Sequence, residues 1–303
     1  MRGEATGQRA PVERWADVHP RTGRDESVPR FVDTREGRIA YHAVGDGEET
    51  AAPPLVLVHG FTGHRDDFIG VMPFLADGRR VLAPDVRGHG DTESGPGAKG
   101  YAFEQLVADL LAFLDALGLD RIDLLGHSVG GMIALRFALA HPERVRSLVF
   151  MCTAPAYPDR MDPKGWEIAS GFAEARGIEE LQPRAAEVVR KDPFPGLPAW
   201  TDPERYYLHH ARRHLAMTPE SYRGVGASFF ESESLVDRLG EIEVPCLVLV
   251  GEQDHEWRPG AESFEAGLRD VRTVVVPDAE HHPHQENPVV FFTELAGHLE
   301  RLG

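Results

Sequence analysis

The chain has 303 residues, 42% of them hydrophobic, and a formal net charge of −17. That length suits one large α/β domain with an insertion, or two modest domains, and the apolar content is enough for a sizeable core. An acidic surface repels phosphate backbones and anionic lipid, so neither nucleic acid nor a membrane surface is an expected partner. No apolar run approaches the roughly 20 residues that span a bilayer. Residues 1–29 mix arginines with Glu4, Glu13, Asp17, Asp25 and Glu26 and lack an apolar central segment. They read as a flexible tail rather than a secretory signal or transit peptide, and the expected location is cytoplasmic. The two cysteines, Cys152 and Cys246, are expected at opposite ends of neighbouring parallel strands. An offset of roughly 15 Å, at ~3.3 Å per residue, exceeds the about 7 Å Cα separation that a disulfide spans, so free thiols are predicted.

Phe31 to Thr34 and Arg38 to Val44 read as two strands joined at Gly37, ending in the turn Gly45-Asp46-Gly47. Leu55-Val56-Leu57-Val58 is a continuous apolar run, the pattern of a strand buried on both faces of a parallel sheet. It leads into His59-Gly60-Phe61-Thr62-Gly63 and a helix expected through Phe68, Met72 and Leu75. Val81 to Asp85 is the next strand. Phe103, Leu106, Val107, Leu110, Leu111, Leu114 and Leu117 recur at helical spacing, and Gly118 stops that helix. After a strand at Ile122 and the helix following it, Pro142 ends the helix and Val145 to Met151 forms another buried strand.

The alternation then stops. Residues 153–240 show no convincing buried strand and read as helices near 163–176, 179–191, 204–216 and 219–230, the last capped by Thr218-Pro219-Glu220. They are rich in aromatics, and Trp200, Tyr206 and Tyr207 are candidates for lining a substrate pocket. This stretch is expected to be an inserted helical cap, leaving 30–152 and 241–303 as the core. Val244 to Val250 resumes the sheet, Gly251-Glu252-Gln253-Asp254 turns, and a helix near 260–269 precedes the strand Val271 to Val276. A polar loop with His281 follows, and Asn287-Pro288 caps a final helix. Strands alternating with helices predict an α/β fold: a mostly parallel sheet with helices on both faces.

The stretch from Ile122 to Gly131 places Ser128 in a Gly-x-Ser-x-Gly frame between strand and helix. A serine on so sharp a turn needs strained backbone angles, and the residues two before and two after it crowd together, so Gly126 and Gly130 supply the room. The following helix points its N-terminus at the same place, and Val129 N–H can donate to an oxyanion. A serine hydroxyl is a poor nucleophile until a neutral imidazole takes its proton, and a carboxylate on the other ring nitrogen fixes the tautomer. Asp254 and His281 follow strand ends, and in a parallel sheet such positions share one edge. Ser128, Asp254 and His281 are therefore the candidate catalytic residues. His210 and His214, four apart, lack a third ligand in a recognisable pattern, and no metal or cofactor is expected. Cys152 has no base in its sequence context and reads as structural.

The order Ser128…Asp254…His281, the elbow and the helical insertion after the sixth strand closely resemble the α/β-hydrolase superfamily over about residues 30–303. The resemblance implies that His59-Gly60-Phe61 is the oxyanion loop, with Phe61 N–H partnering Val129 N–H. It also implies that Asp85-Val86-Arg87-Gly88-His89-Gly90 is a mainly structural turn, that Gly251 to Asp254 is the acid loop, and that His281 to Pro288 carries the family's His-x4-Glu-x-Pro spacing. Two departures stand out: Glu280 replaces the usual glycine before the histidine, and Asp91-Thr92 replaces the usual serine after the turn. The function implied is hydrolysis of a small or medium carboxylic ester, lactone or related acyl compound through an acyl-enzyme. One rival is carbon–carbon hydrolysis of a vinylogous diketone, whose members commonly have asparagine where this chain has His127. Another is a ligand-binding receptor on the same scaffold, since fold does not fix function. A perhydrolase side activity is a further option. Epoxide and haloalkane hydrolases of the superfamily use an aspartate nucleophile, which Ser128 contradicts. Oligomeric state is left open.

Overall fold

The computed structural model describes residues 28–45, 52–93, 98–158, 161–191, 209–210 and 213–302. Most of the expected tail, and the candidate pocket residues Trp200, Tyr206 and Tyr207, lie outside them. Eight strands form one sheet: β1 (Arg30–Thr34), β2 (Gly37–Val44), β3 (Leu55–Val58), β4 (Val81–Pro84), β5 (Ile122–His127), β6 (Val145–Met151), β7 (Cys246–Gly251) and β8 (Val271–Val276). Their spatial order is β1-β2-β4-β3-β5-β6-β7-β8. β2 pairs antiparallel with β1 and with β4, and every later pairing is parallel. The fold is an α/β-hydrolase fold with a mostly parallel sheet.

Side chains alternate across the strands, so consecutive apolar residues feed two cores. On one face Val56 and Val58 pack with α2 (Phe103–Ala116), α3 (Val129–Ala140) and α7 (Arg258–Gly267). On the other, Leu55 and Leu57 pack with the short α1 (Met72–Leu75) and with α9 (Pro288–Glu300). The continuous apolar run of β3 is the consequence of burial on both faces. Between β6 and β7 lie α4 (Lys164–Arg176), α5 (Ile178–Lys191) and α6 (Pro219–Phe230). They enclose a small core of their own around Ala173, Ile178, Leu181, Met217 and Tyr222. Thr218 caps α6 with its side chain, as its sequence predicts.

Several boundaries differ from expectation. The single helix expected through Phe68, Met72 and Leu75 is a 3₁₀ turn at Arg65–Phe68 followed by α1. Pro73 has no N–H to bond back one turn, so the helix has to restart beside it. β7 begins at Cys246 rather than Val244. Pro245 cannot donate to the ladder, although its carbonyl accepts from Leu148 N–H at 3.1 Å. Of the helix expected at 204–216, the described part is helical at 209–210 and a 3₁₀ turn at Arg213–Ala216. Cys152 and Cys246 are buried free thiols, with Cys246 registered against Leu148, four residues from Cys152. Among the described residues no helix is long and apolar enough to cross a membrane.

Candidate active site

Ser128 stands between β5 and α3 with φ 54° and ψ −124°, a left-handed conformation that costs a non-glycine residue about 1–3 kcal/mol. The surroundings hold it there. Its N–H donates to Met151 O at 2.9 Å, and its carbonyl accepts from Gly131 N–H at 2.9 Å and from the Thr153 hydroxyl at 2.6 Å. A Cβ at Gly126 would overlap the Gly130 carbonyl, and a Cβ at Gly130 would overlap the Val58 carbonyl, so both glycines are required by space. Val129 opens α3, so its N–H has no intrahelical acceptor and is free for a ligand.

The loop after β3 faces the elbow from the other side. A Cβ on Gly60 would stand 3.0 Å from the Ser128 Cβ. His59 Nε2 accepts from Val86 N–H at 2.9 Å, which leaves the proton on Nδ1 to donate to Gly60 O at 2.9 Å. His89 Nε2 donates to Phe61 O at 2.6 Å. Burial, then the nearby His89, pushes the His59 imidazole well below its usual range, so it is a neutral brace. Phe61 stacks on Tyr222 at 5.1 Å, which fastens this loop to α6. The turn after β4 is structural, as expected: Asp85 accepts from Arg65 N–H at 2.7 Å and pairs with the Arg65 guanidinium, while Arg87 Nε donates to Asp109 at 2.7 Å. Asp91, one of the two departures from the family pattern, joins that cluster through Arg65 Nη2 at 2.6 Å.

His281 Nδ1 donates to Asp254 Oδ2 at 2.8 Å, with the carboxylate buried and the ring one-quarter exposed. Trp257 stacks on that ring at 5.6 Å. The His281 ring lies 4.8 Å from the His127 ring, one residue from Ser128. The loop is stapled from below: Glu286 Oε2 accepts from Glu280 N–H at 2.6 Å and from His282 N–H at 3.2 Å, bracketing His281 on both sides. That is the physical content of the His-x4-Glu spacing. Asn287 caps α9 by accepting from Val290 N–H at 3.3 Å, preceded by a one-turn helix, α8 (Pro283–Glu286), that the sequence did not announce.

His282 points elsewhere. Its Nε2 accepts from Arg213 Nη1 at 2.7 Å. Arg213 Nη2 donates to Asp67 Oδ2 at 3.0 Å, and His209 Nε2 donates to Asp67 Oδ1 at 2.8 Å. Burial alone would raise the Asp67 carboxyl, but the Arg213 guanidinium and His209 outweigh it and hold it well below the usual range. His210 donates to Gln285 Oε1 at 3.0 Å, and Gln285 Nε2 donates to Asp67 O at 3.0 Å. This network ties the insertion to the histidine loop. Its members lie on three separate segments, and no local pattern joins them.

Two trios of ligand-type side chains lie close together among the described residues: His64 with Asp67 and His209, and Cys152 with Asp254 and His281. In the first, His64 Nδ1 accepts from Asp66 N–H at 3.1 Å, and the Asp67 carboxylate is held by Arg213 and His209. In the second, burial and then the Asp254 charge push the Cys152 thiol well above its usual range, which keeps it protonated and agrees with a structural cysteine.

The family profile described as the alpha/beta hydrolase fold matches residues 53–288. The chain belongs to the α/β-hydrolase family. Among its relatives, epoxide hydrolase 3 of Siraitia grosvenorii is 34% identical, covering 85% of this chain and 93% of that one. The 2-hydroxy-6-oxo-2,4-heptadienoate hydrolase of Pseudomonas putida is 46% identical over 151 residues, 49% of this chain and 50% of that one. The structure of a thermophilic esterase from Thermogutta terrifontis superposes with a TM-score of 0.73 at 26% identity, covering 91% of this chain and 99% of that one. Membership of this α/β-hydrolase family, with hydrolase-named relatives and esterase neighbours, makes the chain a hydrolase.

Proposed function

We propose that this hydrolase cleaves a small or medium carboxylic ester, lactone or related acyl compound, with Ser128 as nucleophile, His281 as general base and then general acid, and Asp254 orienting His281. The observation that carries the reading is the 2.8 Å bond from His281 Nδ1 to Asp254. It fixes the proton on Nδ1 and leaves the Nε2 lone pair to take the Ser128 proton. The Ser128 oxygen attacks the acyl carbon, and Phe61 and Val129 N–H groups hold the resulting oxyanion. The tetrahedral adduct collapses, His281 returns the proton to the leaving oxygen, and a water deprotonated by His281 releases the acid. No step calls for a cofactor. Residues 153–240 act as a cap over this edge of the sheet, a role supported by the Phe61–Tyr222 stack and the Arg213 network.

Carbon–carbon hydrolysis of a vinylogous diketone is the second reading, favoured by the P. putida relative, whose aligned stretch covers half of this chain. The name of the S. grosvenorii relative points to epoxides, but that chemistry in this superfamily calls for an aspartate at the elbow, where this chain has Ser128. A panel of p-nitrophenyl esters, lactones, a ring-fission dienone and a terminal epoxide, assayed with purified protein, separates these. Turnover of esters or lactones with an inert epoxide is expected. Turnover of the dienone alone would move the assignment to the second reading.

A further inference from the structure

The residue before the nucleophile has no role in the steps above, yet it is fully buried and touches the histidine loop directly. His127 Nε2 lies 2.7 Å from the carbonyl oxygen of His281 itself, 154 residues away in the chain. A carbonyl can only accept, so Nε2 carries the proton and donates. The bond therefore runs from the residue covalently joined to the nucleophile to the backbone of the general base.

We propose that His127 is a positioning residue: its Nε2–H···O=C bond to His281 sets the distance and angle between Ser128 and the His281 imidazole. This inference rests on the serine-hydrolase reading. Three further observations agree with it. The His127 ring is packed by the loop it braces, lying 4.8, 5.0 and 5.8 Å from the rings of His281, His282 and His284. Its other nitrogen, Nδ1, is buried without a partner and faces the oxyanion loop, 3.3 Å from where a Cβ on Gly60 would stand. The ring is thus wedged between the two loops that have to face one another across Ser128. Finally, burial, then the neighbouring His281, pushes His127 well below the usual range. It donates as a neutral group and places no fixed charge beside an imidazole that has to become positive during the reaction.

The geometry makes a specific demand on substitutes. A glutamine places its amide nitrogen near the position of a histidine Nε2 and can donate to the same carbonyl, whereas an asparagine amide falls nearer Nδ1 and leucine has no donor. A misplacement of about 1 Å at a reacting group costs on the order of 10²-fold. The test compares wild type with His127→Gln, His127→Asn and His127→Leu, each checked by circular dichroism. Two quantities are read: the second-order rate of fluorophosphonate labelling at Ser128, and kcat and KM for a p-nitrophenyl ester. Leucine and asparagine are expected to slow labelling and kcat by about 10–100-fold with KM within about threefold, and glutamine to restore both to within about fivefold. Deuterium uptake of the peptide spanning 277–290 is expected to rise in the leucine and asparagine variants and to return in glutamine. Equal rates for glutamine and asparagine, or a leucine variant that labels at the wild-type rate, would overturn the proposal. Should leucine fail to fold, the two amide variants carry the comparison alone. A wild type that neither labels nor turns over an ester defeats the serine-hydrolase reading instead, and the deuterium uptake then still reports whether His127 holds the loop.

Discussion

His281→Ala is expected to lose about 10³-fold or more in kcat while staying folded, and His282→Ala to keep most of its turnover while losing stability. The two rings are adjacent in sequence but nearly perpendicular, with planes 88° apart. One meets Asp254 at the sheet edge and the other meets Arg213 in the interior. On the proposed triad, removing the His281 imidazole takes away the base bonded to Asp254 and leaves oxyanion and binding contributions, which sets the first magnitude. Removing the His282 imidazole leaves Arg213 Nη1 buried without that acceptor, at a cost of about 1–3 kcal/mol. Steady-state kinetics with thermal melts check the pair. A dead His282→Ala beside an active His281→Ala would shift the catalytic assignment by one residue.

Acid is expected to unfold this protein at unusually mild pH. Burial lowers the protonation of His59, His64, His89, His127, His210, His214, His282, His284 and His298. In the unfolded chain each returns to about 6.5. The unfolded state therefore binds protons that the fold refuses, and stability falls as pH drops below about 6.5. Above that value the contribution is fully present. Each such group contributes about 1.4 kcal/mol per pH unit once the unfolded histidine is charged. Three acting together come to about 4 kcal/mol per pH unit, against a total of about 5–15 kcal/mol for an ordinary domain. The depressed Asp67 carboxyl acts in the same direction at lower pH, stabilising above its unfolded value and lost below it. At about 2–4 °C per kcal/mol, Tm is expected to fall by roughly 10 °C or more between pH 6.5 and 5.0. A Tm constant across that interval would show that these histidines titrate alike in both states.

The parts legible in the sequence are those set by local rules. Ser128 is announced by Gly126 and Gly130, because the crowding they relieve is created within five residues. The register of His281 follows from the His-x4-Glu-x-Pro spacing of the family that the sequence resembles, which counts back from Glu286 and Pro288 to His281 rather than His282. The strands are announced because burial on both faces leaves no polar position in β3 or in most of β6. The parts not legible are contacts between distant segments. Nothing near His127 signals a bond to a carbonyl 154 residues away, and Asp67, Arg213 and His282 meet only after the insertion folds back. His210 shows the same limit. Read with His214 it is weighed as half of a metal pair, whereas its partner is Gln285 in the histidine loop.

The most direct test of the account is covalent. Purified protein treated with a fluorophosphonate probe, digested and mapped by mass spectrometry, is expected to carry one phosphonyl adduct, on the peptide containing Ser128, with none after Ser128→Ala. The His281→Ala variant is expected to label far more slowly, since on the proposed mechanism it lacks the base that activates the hydroxyl. An adduct on another residue, or no adduct under conditions that label other serine hydrolases, would contradict the account.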